Sequence, residues 1–200
     1  MHRLTTRRSL GFEQRDGSPP WLPSDILYPD SGYCMLKPVD LYVLTYLATR
    51  PPGWTQTSVA RALGISQSNV HRALRQLRES QLVAADDTPL ARPFHDVLVH
   101  AVRHVYPAEL GAPARGIPTA HSAPMLNDIV VANQAFVWPC DEGSTLGTAV
   151  LPLHDRVPDV ARVNPSFYEL MALIDVFRLG RIRERREAAT RLTRRLEGLP

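Results

Sequence analysis

Apolar and polar positions alternate along this chain in a way that predicts helices at both ends and an irregular middle. Between Gln67 and Ser80, Val70, Ala73, Leu74 and Leu77 fall on one stripe of a helix. The other side carries Ser68, Arg72 and Arg75, flanked by Asn69, His71 and Gln76, and none of these six is acidic. A shorter helix is predicted from Gln56 to Leu63, with the Thr55 hydroxyl capping its free N–H groups. Gly64 stands where a helix end needs a left-handed residue. Ile65 packs the turn, and Ser66 caps the next helix. Upstream, Lys37 to Arg50 predicts a helix with Pro38 at its first position and Asp40 in its first turn. Its stripe of Val39, Tyr42, Val43, Tyr46 and Leu47 is broadened by Leu41, Leu44 and Ala48, which implies packing on both sides. Pro51-Pro52-Gly53 ends it.

Downstream, Leu82–Ala85 and Thr88–Ala91 predict two short strands about an Asp86-Asp87 turn. Pro93–Val105 predicts a helix with Phe94, Val97, Leu98, Ala101, Val102 and Val105 on one face. From Tyr106 to Pro165, Gly111, Pro113, Gly116, Pro118 and Pro124 predict loops and turns. Within that region, Ala135–Trp138 and Leu146–Leu151, joined by Cys140–Ser144, predict a β-hairpin. Asn164-Pro165 opens a helix that is apolar nearly all round from Phe167 to Leu179, so it must be buried on most sides. Asp175 inside it calls for a cation, either Arg178 or one across an interface. Gly180 kinks or breaks the helix. Arg181–Leu196 is an arginine-rich helix with a thin stripe of Ile182, Ala189, Leu192 and Leu196. It is open to three roles: a second DNA contact, a docking helix for an acidic protein, or a solvated helix with internal ion pairs.

Composition narrows the class. The chain has 200 residues, 44% of them hydrophobic, which suits one large or two small globular domains. No run of about twenty apolar residues is present, so no membrane span is expected. The first residues carry arginines without an apolar core, unlike a secretory signal, so a cytoplasmic location is expected. Two cysteines, Cys34 and Cys140, make no disulfide framework. A net charge of +3 permits nucleic-acid binding without requiring it. Lys37 is the single lysine, so the cations are arginines, whose forked donors suit phosphates and guanines. Residues 1–33 read as a basic, proline-rich arm in which Trp21, Leu22, Ile26, Leu27 and Tyr28 form an apolar group.

The segment from about Met35 to Leu90 resembles the winged helix-turn-helix of bacterial transcription regulators, most closely the MarR-like group. Ala60, Gly64, Ile65, Ser66, Val70, Arg72, Leu74, Leu77, Leu82 and Val83 carry the resemblance. It implies that Trp54 is the short strand before the second helix and that Asp86-Asp87 is the wing tip. This wing departs from the family pattern, being very short and acidic. The expected architecture is therefore mainly α with a small β component. A winged helix-turn-helix over 34–91 follows the arm, and a helical C-terminal domain with a hairpin occupies 92–200.

The expected function is a DNA-binding transcriptional regulator acting as a dimeric repressor on double-stranded DNA. Ser68, Asn69, His71 and Arg72 are assigned to base edges, and Thr55, Gln56, Gln67 and Arg75 to phosphate. The Phe167–Leu179 helix is expected to build the homodimer surface. One alternative is an antitoxin that represses its own operon and binds a toxin through its C-terminal half. Another is a protein-interaction adaptor that never touches DNA. Asp96, His100 and His104, each four apart, could share a metal, yet no metal-protease motif surrounds them. Ser122, Cys140, His121, His154, Asp141 and Asp155 could supply a nucleophile set, but no nucleophile-elbow glycines flank the serine or the cysteine, and no phosphate-cradling loop exists. No catalysis, metal or cofactor is expected.

Overall fold

A computed structural model of the chain describes residues 36–126 and 135–200. The expected arm, with Cys34, lies outside the described residues. Three helices open the described chain: α1 (Pro38–Ala48), α2 (Gln56–Leu63) and α3 (Gln67–Glu79). The broad stripe of α1 has the consequence expected of it, because Leu41, Tyr42, Val43 and Leu44 are all fully buried. The Asp40 carboxylate accepts from the Lys37 N–H at 2.7 Å and closes the first turn.

The predicted wing is reduced to one antiparallel bridge between Val83 and Pro89, with the Ala84 N–H donating to the Thr88 carbonyl at 2.8 Å. Trp54, expected as a strand residue, lies in irregular chain.

The helix predicted over 93–105 is a rod of α4 (Ala91–Asp96), a π-helical segment (Val97–Ala101) and α5 (Val102–Val105). Its core residues are Phe94, Leu98 and Val102, while Val105 is half exposed. Those three are spaced by four, and a regular α-helix would rotate each about 40° from the last. The wider π turn removes part of that drift and keeps them on one face.

Two elements were not foreseen. Leu110–Pro118 is a strand, β1, and Val157–Val163 is a helix, α6. The predicted strands exist as β2 (Phe136–Pro139) and β3 (Thr145–Val150), but they do not form a hairpin. Each pairs antiparallel with β1, one on either edge, and they run parallel to one another, so the three close on themselves. Glycine makes this close approach possible. A β-carbon on Gly116 would strike the Trp138 carbonyl, one on Gly143 would strike Gly116, and one on Gly147 would fall 2.6 Å from the Ala135 carbonyl oxygen. The loop between β2 and β3 is held by an ion pair from Glu142 to Arg162 of α6.

Helix α7 (Pro165–Leu179) is the central strut, followed by α8 (Ile182–Leu196). Asn164 caps α7, its side-chain oxygen accepting from the Phe167 N–H at 3.0 Å. Phe167, Leu170 and every residue from Met171 to Phe177 are buried within the one chain. The expectation that this helix forms a dimer face is thereby overturned. Its all-round apolarity is consumed by α1, α5, α6, α8 and the turns after β1. Asp175 does pair with Arg178, at 2.6 Å, and also accepts from Thr119 Oγ1 at 2.8 Å and Trp138 Nε1 at 2.6 Å. Burial raises the Asp175 pKa, while Arg178, Thr119 and Trp138 pull it back. Arg178 also donates to the carbonyls of Tyr106 and Leu151, tying sheet edge and α5 to α7.

Gly180 ends α7 and α8 turns back. The buried stripe of α8 is Ala188, Leu192 and Leu196, whereas Ile182, expected in that stripe, is 63% exposed. Arg195 of α8 pairs with Glu169 of α7 at 3.0 Å. A single hydrophobic core runs from Leu41 through the helix-turn-helix to Leu196. Among the described residues the fold is mainly α-helical with one small three-stranded sheet.

Candidate nucleic-acid interface

Local chemistry builds the α2–turn–α3 unit. The Thr55 hydroxyl accepts from the Ser58 N–H at 3.1 Å, and Ser58 Oγ accepts from the Thr55 N–H at 2.8 Å, a reciprocal box that fixes the start of α2. Gly64 ends α2 at φ 64 and ψ 31, the left-handed conformation that glycine adopts without steric cost. Ser66 Oγ accepts from the Asn69 N–H at 3.1 Å and opens α3. Inward, Val59, Leu63, Val70, Ala73, Leu74 and Leu77 are fully buried, and Ala60 nearly so. The Tyr42 hydroxyl, from α1, donates to the Leu63 carbonyl at 2.9 Å, so a core side chain satisfies the last turn of α2.

The side chains left outside are those the sequence singled out. Thr55, Gln67, Ser68, His71, Arg72 and Arg75 are exposed, and Gln56 and Asn69 are half-buried. The Arg72 guanidinium donates to Asn69 Oδ1, joining two of the residues assigned to base edges. Arg75 lies 3.9 Å from Glu79 one turn on, a loose pair in which both side chains are at least half exposed. Thr55 is also occupied as a cap, so its hydroxyl is fixed in place at the mouth of α2. The exposed residues of α2 and α3 include Arg61, Arg72, Arg75 and Arg78, and the one acid in either helix is Glu79.

The wing tip differs electrostatically from a bare pair of acids. Asp87 has φ 67, and its carboxylate is gripped by Arg78 through two hydrogen bonds of 2.6 Å. Asp86 accepts from the Thr88 N–H at 3.0 Å, which lowers its pKa. One aspartate is thus neutralised by α3 itself, a pairing that sequence spacing gave no means of finding. Arg156, from the turn before α6, is a second unforeseen cation here. Its stem passes 3.6 Å from where a β-carbon on Gly64 would lie.

The other candidate chemistries do not assemble. Among the described residues no group of three or more His, Cys, Asp and Glu side chains stands together, so Asp96, His100 and His104 form no metal centre there. Ser122 Oγ accepts from the Phe136 N–H at 2.9 Å, which engages it in the fold. His154 lies instead against Tyr42, ring on ring. Among the described residues no helix is long and apolar enough to cross a membrane.

The capped helix pair, its left-handed glycine turn and the bridge that follows it span the segment that resembles a known family model. Residues 41–87 match the IclR helix-turn-helix domain. This agrees with the winged helix-turn-helix class of DNA-binding transcriptional regulators, and it does not single out the MarR-like group. The match covers the IclR-type module alone and leaves the C-terminal elements unassigned. Comparison with curated proteins and with solved structures found no match.

Proposed function

We propose that this chain is a sequence-specific DNA-binding transcriptional regulator that acts as a dimeric repressor. The observation that carries the reading is the outward face of α3, on which Ser68, His71, Arg72 and Arg75 are presented by a helix-turn-helix of IclR type. In this reading Ser68, Asn69, His71 and Arg72 meet base edges, and Thr55, Gln56, Gln67 and Arg75 meet phosphate. Residues 34–91 read the DNA, and residues 92–200 serve dimerisation or partner binding.

Dimerisation follows from scarcity of contacts. With the wing cut to one bridge and Arg78 engaged by Asp87, one module offers few groups to the backbone. Two modules on a palindrome double them, at half-sites about 34 Å apart. Because α7 is buried, the dimer surface must be drawn from exposed apolar side chains such as Leu146, Val163 and Ile182. Sedimentation of the full chain with DNA from its own upstream region tests this. The expected result is two chains per duplex and a footprint with two-fold symmetry. A single chain per duplex on an asymmetric site would refute the dimer, and a stable hetero-complex with a neighbouring gene's product in place of the dimer would favour an antitoxin.

A further inference from the structure

We propose that the cavity between the edge of the small sheet and the turn before α6 is an effector site for a small amphipathic cation, and that its occupancy alters DNA binding. This rests on the regulator reading above. The cavity is an open cleft of about 410 Å³, within the range of small-molecule sites, and is lined by Glu109, Leu110, Pro139, Leu151, Asp155 and Pro158 among others. Its walls are mostly apolar, and Leu110 and Leu151 at its edge stay 55% and 51% exposed. Among the described residues its lining carries two charged groups, the carboxylates of Glu109 and Asp155, and no basic side chain. Neither carboxylate takes part in an ion pair with a described residue. An apolar body bearing an ammonium group would satisfy both features, whereas an anion would be repelled.

The route to the DNA-binding face is short and consists of one segment. Leu151, Pro152, Asp155 and Pro158 line the cavity. Between them, His154 stacks on Tyr42 with ring centroids 4.5 Å apart, and Arg156 lies over Gly64 at the helix-turn-helix turn. Tyr42 in turn donates to the Leu63 carbonyl one residue before that glycine. A ligand that moves the 151–158 segment therefore moves groups in contact with Leu63 and Gly64, where α2 ends and the turn to α3 begins.

The test titrates the full chain calorimetrically with three ligands of one skeleton: 4-phenylbutylammonium, 4-phenylbutanol and 4-phenylbutyrate. The cation is expected to bind about tenfold or more tighter than the other two, the worth of a hydrogen bond to a charged group. The Glu109→Gln/Asp155→Asn variant should lose that advantage while keeping its affinity for the alcohol, which shows the cavity intact. The cation should also shift affinity for upstream DNA, and His154→Ala should bind the cation and lose the shift. Equal binding of the three ligands, or full cation affinity in the double variant, would overturn the site. Cation binding with no change in DNA affinity would overturn the coupling. Absence of DNA binding by the ligand-free protein would strike the regulator reading instead, leaving the calorimetry to decide the site.

Discussion

The ring of Tyr42 lies flat on that of His154, with centroids 4.5 Å apart and planes 1° from parallel. One residue belongs to the first helix of the helix-turn-helix module and the other to the turn before α6, so the stack joins that module to the C-terminal part of the fold. Burial lowers the His154 pKa from its ordinary 6.5; Asp155 opposes this and Arg156 adds to it. As pH falls, the unfolded chain therefore takes up this proton first. The contribution of the neutral ring is full above about pH 6.5 and is lost as pH falls from there through the folded-state pKa. Thermal melts of wild type and His154→Phe from pH 5 to 8 check it. The difference in Tm should grow in favour of the variant at the acid end, because phenylalanine keeps the stack and cannot charge.

Asp175 and Arg178 supply a second prediction. Asp175→Asn removes one charge from a buried pair and leaves Arg178 uncompensated, at a cost of about 3–5 kcal/mol in urea unfolding. Replacing both, with Asp175→Asn and Arg178→Met, should recover part of that loss. A single variant that unfolds like wild type would mean that the network contributes little.

Gly64 gives a third. A β-carbon at φ 64 would meet the Arg156 stem at an ordinary van der Waals distance of 3.6 Å, so the cost is the backbone's alone. Gly64→Ala should lose about 1–2 kcal/mol of stability while keeping its helical circular dichroism.

Asp87 gives a fourth. Asp87→Asn retains a residue type that tolerates positive φ and removes the charge that occupies Arg78. Affinity for upstream DNA should rise, and its dependence on salt should steepen. Stability should change by no more than about 1 kcal/mol, since the Arg78–Asp87 pair is partly solvated.

What the sequence disclosed was local. Thr55, Gly64 and Ser66 act on neighbours within three or four residues, so caps and turn were readable and all three stand where expected. The exposed set on α3 follows from the same helical period. The middle of the chain was not readable, because its structure depends on distant partners. β1 hides among glycines and prolines that normally mark loops, and it becomes a strand only because β2 and β3 supply hydrogen bonds on its two edges. The turn residues from Cys140 to Ser144 look like a hairpin connection, yet β2 and β3 lie parallel, with Gly147 of β3 close against the Ala135 carbonyl beside β2. The apolar face of α7 was seen, but the occupant that buries it was taken to be a second chain when it is the rest of this one.

Whether α3 reads DNA is decided by salt-titrated binding to the protein's own upstream region, using wild type and an Arg72→Ala/Arg75→Ala variant. Both arginines are exposed, so the variant should fold. Wild type should bind tightly and weaken steeply with salt, and the variant should lose at least about 1–3 kcal/mol. Wild-type affinity no greater than for random DNA, or a variant that binds the upstream region as well as wild type does, would contradict DNA reading by α3.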